Sequence, residues 1–198
     1  YDETKGLFTD NPGNQVYSQH SNILAILCDV VPESEQPALL DRVLSFDQFN
    51  EYASSYFSFF LFKAMEKTGQ QHLYLDHLDH WYKFIDMGLT TTGETGFASH
   101  DRSDCHAWSA HPAYFLLSMV CGIRPGEVGF NTVHIAPELG DLTSLKTTMP
   151  HVKGNISVEY QKKGSKLRGT VILPPGTTGI WEYDGERVEL TEGENRIR

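Results

Sequence analysis

The sequence predicts a helical first part followed by an antiparallel β-sandwich, and three observations predict it. From Ser18 to Val31 the apolar residues Ile23, Ile26, Leu27, Val30 and Val31 recur three and four apart, the spacing of one helix face. After Gly122 the period changes to two: Ile156, Val158 and Tyr160 alternate with Ser157, Glu159 and Gln161. Asp184-Gly185 separates Ile180–Tyr183 from Arg187–Leu190, the dipeptide favoured where a hairpin turns with two residues at positive φ.

Further helices follow in order. Gln36-Pro37 opens the second, with proline tolerated in the first turn and Leu39, Leu40, Val43 and Leu44 behind it. The third runs from Ser54 to Thr68 and ends at Gly69. Its run of Tyr56, Phe57, Phe59, Phe60, Leu61 and Phe62 predicts an inner helix covered on both sides. The fourth spans Gln70 to Met87, with Tyr74, Leu78, Trp81, Tyr82 and Ile85 as its buried stripe; the fifth spans Ala110 to Cys121. Among the strands, Thr132–Ala136 is stopped by Pro137, and Leu167–Leu173 by Pro174-Pro175-Gly176.

Composition excludes several functions. A formal charge of -10 leaves no clustered basic surface for nucleic acid. No apolar run approaches the roughly 20 residues of a membrane span. Three cysteines, Cys28, Cys105 and Cys121, without C-x-x-C spacing, read as free thiols rather than a disulfide framework. The chain opens at Tyr1 without a methionine or a signal peptide, and reads as beginning inside a larger protein.

The chemistry is expected between Gly88 and Ser109. This connection exceeds 20 residues and carries Glu94, His100, Asp101, Arg102, Asp104 and His106. Loops of that length inside a compact domain are usually functional. Taken singly, Glu94 reads as a solvated carboxylate and His106 as a core or capping histidine. Trp108 reads as core, and Arg102 as a local partner of Asp101 or Asp104. His72, His77 and His80 with Asp76 and Asp79 read as a salt-bridged helix face, with Asp76–His80 and Asp79–Lys83 four apart, rather than a metal set. Cys105, His106 and His111 fit no standard zinc spacing. No metal and no cofactor are expected.

Three stretches together carry a family resemblance. Ser18-Gln19-His20-Ser21 and Gly88-Leu89-Thr90-Thr91-Thr92-Gly93-Glu94 resemble successive segments of the bacterial α-L-rhamnosidase catalytic domain, where a T-T-x-W-E motif closes an inner helix. Cys105-His106-Ala107-Trp108-Ser109, with the helix to Gly122-Ile123, is similar to that family's N-H-x-x-x-G segment. Phe130–Pro137, Gly154-Asn155-Ile156-Ser157-Val158 and Leu173-Pro174-Pro175-Gly176-Thr177 resemble its closing sandwich. The family is glycoside hydrolase family 78.

The resemblance implies the last helices of an (α/α)6 six-hairpin toroid in residues 1–128 and an antiparallel β-sandwich in 129–198. It also implies an inverting glycosidase that removes terminal α-L-rhamnose from glycans or glycosides. Such enzymes need two carboxyl groups roughly 6.5–9.5 Å apart, one to protonate the leaving oxygen and one to activate water. Glu94 takes the position of the general base, while the general acid belongs to a segment upstream. His106, Trp108, Asp101 and Arg102 are the expected sugar-binding residues, and the partners are a rhamnosyl substrate and the upstream rest of the catalytic domain. Gly93 stands where the family has tryptophan and Cys105 where it has asparagine, so an aromatic face that could pack on the sugar is missing. Open beside this reading are a non-catalytic glycan-binding or scaffold fragment, and a toroid glycosidase for another sugar.

Overall fold

A computed structural model of the chain describes residues 1–95 and 102–198. They divide into two units, Tyr1–Pro112 and Ala113–Arg198.

In the first unit, helix α1 (Gln19–Leu27) begins where Ser18 stays extended and its hydroxyl accepts the Ser21 amide at 3.2 Å. That satisfies one of the orphan N–H groups of a first turn. Asp10 Oδ1 in turn accepts both serine hydroxyls at 2.7 Å, tying the N-terminal loop to the cap. Helix α2 (Gln36–Ser45) carries Pro37 in its first turn as predicted. Helix α3 (Ser58–Lys67) packs with α2 against α1, burying Ile23, Ile26, Leu40, Val43, Phe62 and Met65.

The predicted helix from Gln70 to Met87 is two pieces. A 3₁₀ segment, Gln71–His77, meets helix α4 (Asp79–Asp86) at Leu78. A 3₁₀ turn advances 120° per residue rather than 100°, so the break shifts the phase of everything after it. Phe84 is the residue α4 buries, while Tyr82 and Ile85 of the expected stripe are 57% and 68% exposed. The i, i+4 pairing of Asp76 with His80 loses its basis for the same reason. Helix α3 also starts four residues later than expected. Phe59 and Phe60 are only half-buried and Tyr56 is exposed, so α3 is not covered all round.

The second unit starts inside helix α5 (Pro112–Phe115), which passes into a π-helical turn over Leu116–Val120 in place of one continuous helix. Eight strands follow: β1 (Ile123–Pro125), β2 (Thr132–Ile135), β3 (Ser144–His151), β4 (Gly154–Lys163), β5 (Lys166–Leu173), β6 (Thr178–Tyr183), β7 (Glu186–Leu190) and β8 (Gly193–Ile197). They form two four-stranded sheets, ordered β1-β2-β6-β7 and β3-β4-β5-β8. Every pairing is antiparallel except β2 with β6. Val133, Ile135 and Trp181 of one sheet and Val158, Tyr160 and Val171 of the other share one core. The Tyr160 and Trp181 rings meet there at 6.5 Å. Asp184 and Gly185 both have positive φ, 48° and 80°, as the hairpin reading requires. No helix among the described residues is long and apolar enough to cross a membrane.

Candidate functional site

The loop after α4 doubles back on itself. The His106 amide donates to the Thr92 carbonyl at 2.7 Å and the Glu94 amide to the Ser103 carbonyl at 2.8 Å, so Thr92–Glu94 runs beside Ser103–His106. Threonine hydroxyls pin the two arms: Thr92 Oγ1 donates to the His106 carbonyl at 3.1 Å and Thr91 Oγ1 to that of Asp104. Glu94 and His106 are both half-buried and lie on adjoining arms. Glu94 is eight residues beyond α4, in the arm and not at a helix end.

Serines fix the backbone around Glu94. The preceding carbonyl, that of Gly93, accepts the hydroxyl of the fully buried Ser109 at 2.6 Å. The carbonyl of Glu94 itself accepts the hydroxyl of buried Ser55 at 2.8 Å. The Ser103 amide donates to Glu94 Oε2 at 3.1 Å, which orients the carboxyl group. Ser109 is itself anchored, because Trp81 Nε1 donates to its carbonyl at 2.7 Å. Gln19 brings Ser55 into place: its Oε1 accepts the Ala53 amide at 2.8 Å, two residues earlier.

His111 completes the support. Its Nε2 lies 2.8 Å from the Ser55 carbonyl, a partner that can only accept, so this nitrogen carries the proton. The ring stands between Trp81, Phe62 and Phe59, with centroids 5.1, 5.6 and 5.7 Å away. Burial holds its pKa below the ordinary histidine value, against the opposing pull of the bond to Ser55.

The other expected residues divide. Trp108 is not core: it is 65% exposed, 4.8 Å from the Tyr56 ring and 5.7 Å from the edge-on His106 ring. Together the three present an aromatic wall beside the Glu94 arm. Arg102 is paired with Asp104, Nε to Oδ1 at 2.6 Å, so one of its donors stabilises the loop. Asp101 and His100 lie outside the described residues. Gly93 is buried, and a Cβ there would come within 3.2 Å of Phe84 and Leu89. Phe84 thus occupies the space into which a side chain at 93 would first project. Among the described residues no group of three or more His, Cys, Asp or Glu is arranged to hold a metal. Sequence reading missed Ser55, Ser109, Tyr56 and the supporting role of His111. Only Ser109 had a signal, as part of the Cys105–Ser109 motif.

Known proteins resemble this chain in sequence and in fold. Residues 122–197 match the family model described as the bacterial alpha-L-rhamnosidase C-terminal domain. The alpha-L-rhamnosidase of Streptomyces avermitilis is 25% identical over 202 residues, covering 89% of this chain and 19% of that protein. The alpha-L-rhamnosidase of Formosa agariphila is 23% identical, covering 90% and 21%. The chain therefore spans about a fifth of the length of these curated relatives, 19% and 21%. The solved family 78 rhamnosidase of Bacillus sp. GL1 superposes with a TM-score of 0.75 at 30% identity, over 94% of this chain and 22% of that one. The alpha-L-rhamnosidase of Aspergillus terreus gives 0.76 at 19% identity, over 98% and 25%. Along most of its length the chain is similar to the C-terminal part of α-L-rhamnosidases, and its residues 122–197 match the C-terminal domain of the bacterial members.

Proposed function

We propose that this chain is the C-terminal part of an inverting glycoside hydrolase that releases terminal α-L-rhamnose, with Glu94 as its general base. The observation that carries this reading is the fixing of Glu94. Hydrogen bonds take its amide, its carbonyl and the carbonyl before it, and a fourth orients the carboxyl group. A base needs such a defined position more than a solvated surface carboxylate does.

In the reaction Glu94 accepts a proton from a water while the water oxygen attacks the anomeric carbon. The bond from that carbon to the leaving oxygen breaks, and an acid from the upstream part of the enzyme protonates the departing oxygen. His106 contacts sugar hydroxyls through its imidazole, and Trp108 offers a ring face to the substrate. Arg102 belongs to the same loop, and Asp101 precedes it in sequence. The helices of the first unit are, on this reading, the last of a six-hairpin toroid.

The test is the stereochemistry of turnover by the longer protein on an aryl α-L-rhamnoside, followed by proton NMR. Hydrolysis releasing the β-anomer first is expected. Release of the α-anomer first, or no hydrolysis, would overturn the proposal.

A further inference from the structure

Glu94 is held through a line of contacts that begins two hydrogen bonds away. The Nε2–H of His111 donates to the Ser55 carbonyl at 2.8 Å, and the Ser55 hydroxyl donates to the Glu94 carbonyl at 2.8 Å. We propose that His111 is a positioning residue for Glu94, acting through Ser55 and transmitting the packing of α3 and α4 to the catalytic arm. The inference rests on the reading of Glu94 as the base.

The geometry favours this over simple core filling. Phe59 and Phe62 of α3 and Trp81 of α4 surround the His111 ring, so its orientation is set by two helices at once. An aromatic box of that kind needs only an apolar ring, and phenylalanine would fill it without having to place a nitrogen. Here the ring does bring a nitrogen, and aims it at one carbonyl, that of Ser55. Ser55 is buried, and its two polar ends point opposite ways along the line: the carbonyl takes the His111 proton while the hydroxyl reaches the Glu94 backbone. A residue that accepts a hydrogen bond at one end and donates one at the other has its torsions fixed, and so fixes the peptide it holds. Trp81 serves both supports of the arm, since its ring faces His111 while its Nε1 donates to Ser109, the residue on the Gly93 carbonyl. A displacement of about 1 Å at a reacting group is enough to cost much of its rate advantage, so a support of this kind belongs to the function of the loop.

Two substitutions separate packing from positioning. His111→Phe keeps an aromatic ring in the box and loses the donor; His111→Gln loses the ring but places an amide N–H where Nε2 stood. In the longer protein, with an aryl α-L-rhamnoside, His111→Phe should lower kcat about tenfold, the scale of one buried hydrogen bond, with KM little changed. His111→Gln should recover most of that loss. Ser55→Ala should match His111→Phe, and the double variant should be no worse than either, because both break one line. Glu94→Gln is measured alongside. If it abolishes turnover while His111→Phe turns over normally, or if His111→Gln is as slow as His111→Phe, the positioning role is overturned and the base stands. If Glu94→Gln itself turns over normally, the base reading fails, and this inference falls with it.

Discussion

The hydroxyl of Ser109 donates to the carbonyl of Gly93 at 2.6 Å, one peptide before Glu94. Ser109 is fully buried, and its own carbonyl is held by Trp81, so the bond joins the Glu94 arm to α4 away from solvent.

Ser109→Ala leaves that carbonyl buried without its partner. A lost partner of this kind costs about 1–3 kcal/mol. Denaturant unfolding of the chain should show a loss in this range, together with faster amide exchange at Glu94 and His106. Unchanged stability and exchange would mean that Ser109 fills space and no more.

Acid should loosen the N-terminal loop. Burial raises the Asp10 pKa, but the hydrogen bonds from Ser18 and Ser21 outweigh it, and the net shift is downward. Asp2 is also lowered, first by the Tyr17 hydroxyl and then by the Lys5 amide. A carboxyl whose folded pKa is depressed contributes stability above its unfolded pKa, and that contribution is lost as pH falls through the folded value. Unfolding midpoints measured from about pH 6 down to about pH 2 should therefore fall on the acid side. Asp10→Asn should lower the midpoint at neutral pH and flatten the acid limb; an unaltered limb would contradict the assignment.

In the sandwich, Gly169 stands where β5 crosses close to β4. A Cβ there would lie 1.9 Å from the Glu159 carbonyl oxygen and 2.8 Å from the Tyr160 ring, both on the paired strand. Gly169→Ala must push the strands apart, with a cost of about 1–3 kcal/mol or more by analogy with overpacked cores. Calorimetry should show a lower Tm for the Ala113–Arg198 unit, and an unchanged Tm would refute this account.

The chain as it stands should not hydrolyse an aryl rhamnoside at a measurable rate, because the acid that protonates the leaving oxygen is expected upstream. Appreciable turnover would place both carboxyl groups within these 198 residues.

What sequence reading captured was local. Pro37 in a first turn and Asp184-Gly185 at a hairpin depend on neighbours a few residues away, and both form as expected. The α4 stripe failed because one helical phase was carried through Leu78, where the helix type changes. Strand β3 went unread because Ser144–His151 is rich in polar residues and contains Pro150. An edge position accommodates that proline, and β3 is an edge strand. At the site, the loop and its candidate residues were legible from length and motif. The support beneath them was not, since His111 and Ser55 stand 56 residues apart and only the fold brings them together.

The central claim is that Glu94 is the base, and Glu94→Gln in the longer protein tests it most directly. The amide preserves shape and much of the hydrogen bonding but cannot take a proton from water. With an aryl α-L-rhamnoside, kcat should fall by about 10²–10⁴-fold while rhamnose still binds. Near-normal turnover by Glu94→Gln would contradict the account and move the search to the other carboxylates of the loop, Asp101 and Asp104.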